Sequence, residues 1–196
     1  MSVEVVGVIE PGARAAVAIA NHSRIGVIAT EATVQSHAYR NAISMLDAES
    51  KIVERACPLF VSLAEEGWSE SDVAREVARQ YLRDFSAEPV SALVLGCTHY
   101  PILRKVISDA VGEGVTLIDS GEATAAEVKT FLKQSGLAHS DTSALYEERR
   151  LCDDLDHFYV TDAASRFAKV AERFLGVAPT ILEAVEIWGH DELRTH

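Results

Sequence analysis

Short apolar runs alternate along this chain with longer stretches in which apolar side chains recur every three or four residues. Brief runs rich in Val, Ile and Leu are typical of strands that are covered on both faces of a parallel sheet. The pattern predicts strands at residues 3–8, 24–29, 52–56, 92–95, 115–118 and 157–160.

The stretches between these runs predict amphipathic helices. Ser69 is a suitable N-cap, and Pro101 is tolerated in a first helical turn. The predicted helices are residues 13–20, 33–46, 69–84, 101–111, 121–134 and 163–175. Residues 138–156 are polar and aperiodic, which predicts a connector or a short irregular helix. Strands that alternate with helices predict an α/β fold, in which a parallel sheet lies between helical layers.

Composition and net charge exclude some classes of protein. The 196 residues are 48% hydrophobic, which is enough apolar material for a core. A formal net charge of −12 argues against nucleic-acid binding, because such a chain repels phosphate backbones. No apolar run approaches the roughly 18 residues of a membrane helix, and the first residues do not resemble a signal peptide. We therefore predict a cytoplasmic protein without a membrane partner.

The segment around Cys97 gives the clearest sequence signal for a ligand-binding or catalytic site. An apolar run ends at Gly96, and Cys97, Thr98 and His99 precede a helix that begins with proline. Ligands of parallel sheets bind where strands end, and a helix N-terminus or an imidazolium lowers a thiol pKa from about 8.5. Gly96 would let a ligand approach the backbone. A buried structural cysteine is the alternative, and spacing alone does not decide between the two.

The other cysteines, Cys57 and Cys152, are distant in sequence from Cys97. An odd number of cysteines without a CxxC pair argues against a disulfide framework and against a zinc site. We therefore predict no metal. Cys57, beside Pro58, is expected to be structural.

Residues 95–101, Leu-Gly-Cys-Thr-His-Tyr-Pro, resemble the second catalytic motif of the aspartate/glutamate racemase family, in its glutamate racemase form. Other segments resemble further parts of that family: residues 7–12, 24–33, 56–67, 118–122 and 158–161. The resemblance extends from residue 3 to about residue 188. It implies that residues 1–118 are the second of two similar α/β domains. Residues 119–196 would be the returning C-terminal part of the first.

The resemblance implies an amino-acid racemase that interconverts L- and D-glutamate for peptidoglycan without a cofactor. One cysteine thiolate removes the α-proton, and a second thiol delivers a proton to the opposite face. Glutamate is the implied small-molecule partner, and a homodimer is one assembly that the family allows. The implied catalytic residues are Cys97, His99 and Glu65, and the implied substrate-binding residues are Thr98, Thr33 and Thr30.

Simpler interpretations of these residues stay open. Glu65, with Glu66 as the adjacent alternative, precedes Gly67 in a predicted loop, where glutamates are commonly solvated. Thr30 and Thr33 could begin a helix, since threonine is a good N-cap, and a helix N-terminus also binds carboxylates. A racemase of another small acid, of the aspartate or hydantoin type, or a non-catalytic amino-acid binder would retain the same pocket.

The chain departs from the family pattern at the second acid/base group. The family's other cysteine lies in an early Cys-Asn-Thr motif that this sequence does not contain, and residues 119–121, Asp-Ser-Gly, match a different position. Cys57 or Cys152 could replace that group only by facing Cys97 across a pocket. We expect a chain that lacks an N-terminal portion and does not racemise glutamate alone, and that upstream residues would restore activity.

The same departure has a consequence for packing. Residues 119–196 would lack the strands on which they normally pack, which would leave a set of apolar side chains uncovered. We expect this part of the chain to be mobile or to self-associate. The side chains concerned are Phe158, Val160, Phe167, Val170 and Phe174.

Overall fold

The computed structural model describes residues 4–138, 152 and 156–186. The chain separates into two compact units, residues 1–138 and residues 139–196. Most of the predicted connector at residues 138–156 lies outside the described residues. Within the part of the chain that the structure describes, no helix is long and apolar enough to cross a membrane.

The first unit contains a four-stranded sheet and the helices that cover it. Its strands are β1 (Ile25–Ala29), β2 (Ile52–Ala56), β3 (Ala92–Gly96) and β4 (Thr116–Asp119). Its helices are α1 (Ile9–Ala20), α2 (Glu31–Ser36), α3 (Ala38–Leu46), α4 (Leu59–Glu66), α5 (Asp72–Ala87), α6 (Arg104–Val111) and α7 (Ser120–Gln134). A 3₁₀ turn, Tyr100–Leu103, precedes α6. These four strands begin and end within one residue of their predicted bounds.

All strands of this sheet are parallel, in the order β2-β1-β3-β4. The central strands β1 and β3 are buried along almost their whole length. The register pairs Ala29 with Ala56 on one side and with Gly96 on the other, and it pairs Leu95 with Asp119. The strands therefore end at nearly the same level, so the segments that follow them lie along one edge of the sheet.

Helices pack on both faces of the sheet and form two apolar cores. On one face, Phe60 of α4, Leu82 of α5 and Ile107 of α6 are fully buried. On the other face, α1 and α3 contribute Ala13 and Ile43. Burial of each large apolar side chain contributes about 1.5–3 kcal/mol, so these layers stabilise the sheet from both sides. The predicted fold class, a parallel sheet between helical layers, is confirmed.

The predicted strand at residues 3–8 is wrong in its described part. Residues 4–7 have no regular secondary structure, and α1 already begins at Ile9, ahead of the predicted start at residue 13. Pro11 and Gly12 lie in the first turn of α1 and are buried. Proline is compatible with that turn because the first helical amides have no intrahelical acceptor. Val5, which the pattern places in a strand, is exposed.

The predicted helix at residues 33–46 is divided into two helices. Helix α2 ends at Ser36 and α3 begins at Ala38, with His37 between them at a φ of 52°. This left-handed conformation costs a non-glycine residue about 1–2 kcal/mol. The ring of His37 contacts the buried Glu54 carboxylate at 2.9 Å, which offsets part of that cost. Apolar periodicity does not reveal a break at a single residue.

Helix α4 is not predicted by the pattern. Glu65 and Glu66, expected in a loop, lie at its C-terminus, which Gly67 ends in the left-handed conformation. Helix α5 begins slightly later than predicted, because Ser71 rather than Ser69 accepts the capping hydrogen bond from the amide of Ala74. The predicted loop is wrong at Glu65 because α4 is short and apolar on most of its surface, which obscures the helical period.

The second unit contains a parallel pair of strands, β5 (His157–Val160) and β6 (Ile181–Ala184), with α8 (Ala164–Leu175) between them in sequence. The pattern predicts β5 and α8 but not β6. Val160 is buried, whereas Phe167 and Phe174 are 38% and 40% exposed. The expected mobility and self-association of this region stay predictions.

Helix α7 lies beyond residue 118, where the predicted domain ends, but it belongs to the first compact unit. It packs on α1, and the guanidinium of Arg14 donates to both carboxylate oxygens of Glu127, at 2.7 and 2.6 Å. The assignment of residues 119–196 to a returning domain stays a prediction about the architecture of the family.

Asp47 is a buried carboxylate that closes α3. It accepts hydrogen bonds from the hydroxyl of Ser50 at 2.6 Å and from the amide of Glu49 at 3.0 Å, and it contacts Nδ1 of His22 at 3.0 Å. The Ser50 hydrogen bond, followed by the His22 contact, lowers the pKa of Asp47 to about 2. The same contact with Asp47 raises the pKa of His22.

We expect Asp47→Asn to lower the thermal unfolding midpoint most strongly between about pH 4 and pH 6.5. In the unchanged protein, the Asp47 contribution is fully present above its unfolded pKa and is lost as the pH falls towards about 2. The His22 contribution is present below its unfolded pKa and is lost as the pH rises through its raised folded pKa. Asp109→Asn, which removes an exposed partner of Lys105, is the control and should have little effect. Equal effects of both substitutions at every pH would contradict this account.

Candidate active site

The carboxyl edge of the sheet brings the candidate residues together. Thr30 follows β1, and Cys97 follows β3, and each comes one residue after the paired positions Ala29 and Gly96. Asp119 ends β4 beside them. In open parallel sheets, ligands bind outside these strand ends. The position of Cys97 agrees with the sequence prediction.

Cys97 is partly buried in the turn between β3 and the 3₁₀ turn. Its Sγ lies 3.9 Å from Nδ1 of His99, and the hydroxyl oxygen of Thr98 lies 3.5 Å from the same nitrogen. Burial raises the pKa of the Cys97 thiol, and hydrogen bonds from the His99 amide and the Thr98 hydroxyl oppose that effect. The environment of Cys97 therefore favours the protonated thiol over the thiolate.

The second nitrogen of His99 faces a carboxylate. Nε2 of His99 lies 3.3 Å from Oε1 of Glu65, and both side chains are about one quarter exposed, at 23% and 26%. Glu66 is exposed, as expected for the next position along a helix, where the side chain turns by roughly 100°. The structure therefore brings Cys97, His99 and Glu65 into one chain of contacts.

Thr30 and Thr33 lie at the start of α2. The side chain of Thr30 caps the helix by accepting a hydrogen bond from the amide of Thr33 at 3.4 Å, and the two hydroxyl oxygens are 3.0 Å apart. The structural role proposed for Thr30 is thus observed. Both hydroxyls lie near the edge that carries Cys97, so a role in substrate binding stays a proposal.

Gly96 has a different environment from the one expected. A Cβ atom at this position would lie 2.9 Å from Cε2 of Tyr39 and 3.1 Å from Cβ of Ala29. Neighbouring protein atoms therefore occupy the space in which the sequence suggested a ligand. Gly96 is required for packing behind Cys97 and not for access to it.

Tyr100 is a site residue that the motif includes but whose role the sequence does not reveal. Its hydroxyl donates a buried hydrogen bond of 2.9 Å to the carbonyl of Cys57, and its ring packs edge-on against Phe60. Because Cys57 lies two residues before the start of α4, this bond links the His99 turn to the helix that carries Glu65. A large aromatic residue directly after the polar motif is the only sequence signal for this link.

The remaining cysteines are buried. Cys57 is 0% exposed, and burial raises the pKa of its thiol to about 12. Cys152, in the second unit, is 2% exposed. Among the residues that the structure describes, no group of three or more His, Cys, Asp or Glu side chains is placed to hold a metal ion.

A thiol, an imidazole and a carboxylate in contact at the carboxyl edge of a parallel sheet define an α/β protein with a candidate acid/base site at a cysteine. The model of the Asp/Glu/Hydantoin racemase family matches residues 1–128, and the chain belongs to this family. The resemblance drawn from residues 95–101 is therefore confirmed.

Individual relatives are glutamate racemases. The chain is 46% identical to that of Geobacter metallireducens and 43% identical to that of Lactiplantibacillus plantarum, each over 176 residues. These matches cover 90% of this chain and 62% of each relative. The chain thus spans less than two thirds of the length of these relatives.

Solved structures of glutamate racemases share the fold. An isoform from Bacillus anthracis matches with a TM-score of 0.83 at 34% identity, over 95% of this chain and 66% of that one. The enzyme from Francisella tularensis, solved in complex with D-glutamate, matches with a TM-score of 0.77 at 33% identity, over 93% of this chain and 64% of that one.

We expect iodoacetamide to alkylate Cys97 in the folded protein and to leave Cys57 and Cys152 unmodified. The thiolate is the reactive form, and burial raises the pKa of Cys97, so its rate should still increase above about pH 8.5. Mass spectrometry of peptides after timed alkylation at several pH values measures each cysteine separately. Protein unfolded in guanidinium is the control, in which all three should react. The alkylation rate of Cys97 plotted against pH gives its pH profile. A midpoint of this profile below the ordinary thiol pKa would contradict the expectation.

Proposed function

We propose that this chain forms one side of the active site of a glutamate racemase and that Cys97 is its acid/base group. The observation that carries the proposal is the line of contacts from Cys97 through His99 to Glu65, in a chain 46% identical to a glutamate racemase. Glutamate is favoured over aspartate or a hydantoin because the similar protein from Francisella tularensis was solved with D-glutamate.

The two nitrogens of His99 give the thiol a route for its proton. When Nε2 carries the ring proton towards Glu65, Nδ1 is an acceptor that faces Cys97. Transfer of the thiol proton to Nδ1 leaves a thiolate, and the carboxylate of Glu65 balances the charge of the imidazolium. The thiolate then removes the α-proton of the amino acid. The same groups return a proton by the reverse path.

The raised pKa of Cys97 suits both directions of this reaction. At neutral pH the group rests as a thiol, which is the form that donates a proton to a carbanion. The thiolate forms only when His99 accepts the proton, so both states are available within the site. A thiol with its own imidazole partner supplies acid and base, and the proposed reaction therefore uses neither a metal nor an organic cofactor.

Hydroxyl groups near the sheet edge are suited to holding the substrate. Thr98 is exposed beside Cys97, and Thr30 and Thr33 lie at the end of the neighbouring strand β1. We propose that these hydroxyls bind the carboxylate and amino groups, which fixes the α-carbon against Sγ of Cys97. Their mutual hydrogen bond leaves Thr30 and Thr33 with lone pairs or protons for a ligand.

Inversion of a carbon centre needs a second acid/base group on its opposite face. Cys57 is fully buried in the core of the first unit and is therefore unsuited to meeting a substrate. We infer that Cys97 serves one face and that this chain, acting by itself, does not invert glutamate. In the complete reaction the product D-glutamate would supply peptidoglycan synthesis, which we place in the cytoplasm.

In ²H₂O we expect the protein to introduce deuterium at the α-carbon of one glutamate enantiomer without inverting it. Proton NMR measures the exchange, and chiral chromatography measures inversion. Cys97→Ser should reduce exchange by about 100-fold or more, which is the ordinary contribution of a general base. Aspartate should exchange more slowly than glutamate, because the proposed substrate is glutamate.

Several results would overturn parts of the proposal. Exchange that survives Cys97→Ser would remove Cys97 as the base, and a lack of exchange with either enantiomer would remove the glutamate site. Inversion by this chain would support a racemase but contradict the one-sided mechanism. Faster exchange of aspartate than of glutamate would assign aspartate as the substrate in place of glutamate.

We expect Glu65→Gln to slow the alkylation of Cys97 at neutral pH by about three- to tenfold, since one pKa unit changes the thiolate fraction tenfold. Glutamine keeps the size of the side chain but removes the charge that balances a protonated His99. Glu66→Gln is the matched control, because it makes the same change at an exposed neighbouring position. Equal effects of the two variants would attribute the change to net charge, and no effect of Glu65→Gln would remove Glu65 from the proton path.

A further inference from the structure

Tyr39 lies directly behind the turn that carries Cys97. The residue belongs to α3 and is 2% exposed. Its ring is so close to the end of β3 that a Cβ atom on Gly96 would lie 2.9 Å from Cε2, which is shorter than any ordinary carbon contact. The position of this ring therefore determines where the backbone of Gly96, and hence of Cys97, can lie.

A second glycine borders the same ring from α1. A Cβ atom on Gly12 would lie 3.3 Å from Cε1 of Tyr39 and 2.5 Å from Oγ of Ser120. Neither Gly12 nor Gly96 has a positive φ, so their backbone conformations are open to any residue. Gly96 is needed for the space that the ring occupies, and Gly12 is needed mainly for the Ser120 side chain beside the ring. The result is a slot between α1 and the end of β3 that fits one aromatic ring.

A buried hydrogen bond fixes the ring within this slot. The Tyr39 hydroxyl and the Ser120 hydroxyl are 2.8 Å apart, and Ser120 is 6% exposed. Ser120 begins α7 directly after the last residue of β4. Because buried hydroxyls are costly without a partner, each holds the other in place. The bond thus connects α3 to the end of the strand beside β3.

The geometry points to Tyr39 as a positioning residue for Cys97, held in its slot by the hydrogen bond to Ser120. This inference deepens the proposed function, since it concerns the acid/base group of that site. Tyr39 sets the depth at which the Cys97 turn lies in the protein, and it acts through Gly96 without touching the reacting atoms.

The chemical effect follows from the way burial controls the thiol. Burial is the main cause of the raised pKa of Cys97. Burial also raises the pKa of Tyr39, the Ser120 hydrogen bond opposes this, and the nearby Cys97 adds to the rise. A ring free to move in its slot would let the Cys97 turn shift outwards, and a more solvated thiol ionises more readily.

We expect Tyr39→Phe to increase the rate of Cys97 alkylation at neutral pH by about three- to tenfold, with a matching downward shift in the midpoint of the pH profile. Phenylalanine keeps the ring but removes the hydroxyl. Ser120→Ala removes the other partner and should produce the same shift. The double variant should shift the midpoint no further than either single substitution, because the two substitutions remove the same hydrogen bond.

Tyr81→Phe is the control. It removes the hydroxyl that accepts a hydrogen bond from the amide of Leu59, on the other face of the sheet from Tyr39, and should leave the Cys97 profile unchanged. A purely structural role for Tyr39 would lower the thermal midpoint without moving that profile. If both Tyr39→Phe and Ser120→Ala unfold cooperatively and leave the profile unchanged, the inference is wrong.

The measurement also separates this inference from the proposed function. Alkylation of Cys97 requires no glutamate, so a shift in the profile would support the role of Tyr39 even if no α-proton exchange were found. If exchange were found and the profile did not move, the proposed function would stand without a positioning role for Tyr39.

Discussion

The parallel pairing of β3 with β1 and β4 is the constraint on which the candidate site depends. It aligns Gly96 with Ala29 and Leu95 with Asp119, so that Thr30 follows level with Cys97 and Ser120 follows level with Gly96. A slip of one residue would turn every side chain of a strand to the opposite face. The two apolar cores oppose such a slip, because neighbouring residues of β3 are buried in different cores.

Packing that fixes Cys97 also makes its thiol harder to ionise. The turn is held from one face of the sheet by Tyr39 and from the other by Tyr100, and the resulting burial raises the pKa of Cys97. The acid/base role proposed for Cys97 requires both protonation states. In that proposal, the contact of Cys97 with His99, and of His99 with Glu65 on α4, provides for the charged state, so placement and proton transfer would depend on different elements.

Sequence periodicity identifies the layers of this fold because central parallel strands are short, apolar and bounded by turns. It also draws attention to Cys97, a thiol among polar residues after a buried strand, but only the resemblance of residues 95–101 to a racemase motif favours a catalytic over a structural role for this residue. The pattern does not show contacts between distant segments, such as Glu65 with His99 or Tyr39 with Gly96. Breaks such as His37 are equally hidden, because one left-handed residue does not alter the apolar period. At residues 3–8 the pattern predicts an element that is not present in the described residues, because the exposed valines there are apolar but not packed against the core.

Cys57 and Cys97 show that position at a strand end does not by itself determine the environment of a thiol. Both residues follow parallel strands of the same sheet. Cys57 is followed by Pro58 and α4, lies in the same apolar core as Tyr100 and Phe60, and is completely buried, which raises its pKa to about 12. Cys97 is followed instead by the polar residues Thr98 and His99, is only partly buried, and has an imidazole nitrogen 3.9 Å from its Sγ. The difference lies in the residues that follow each cysteine, and so the polar motif, rather than the cysteine alone, is what carries chemical information in this sequence.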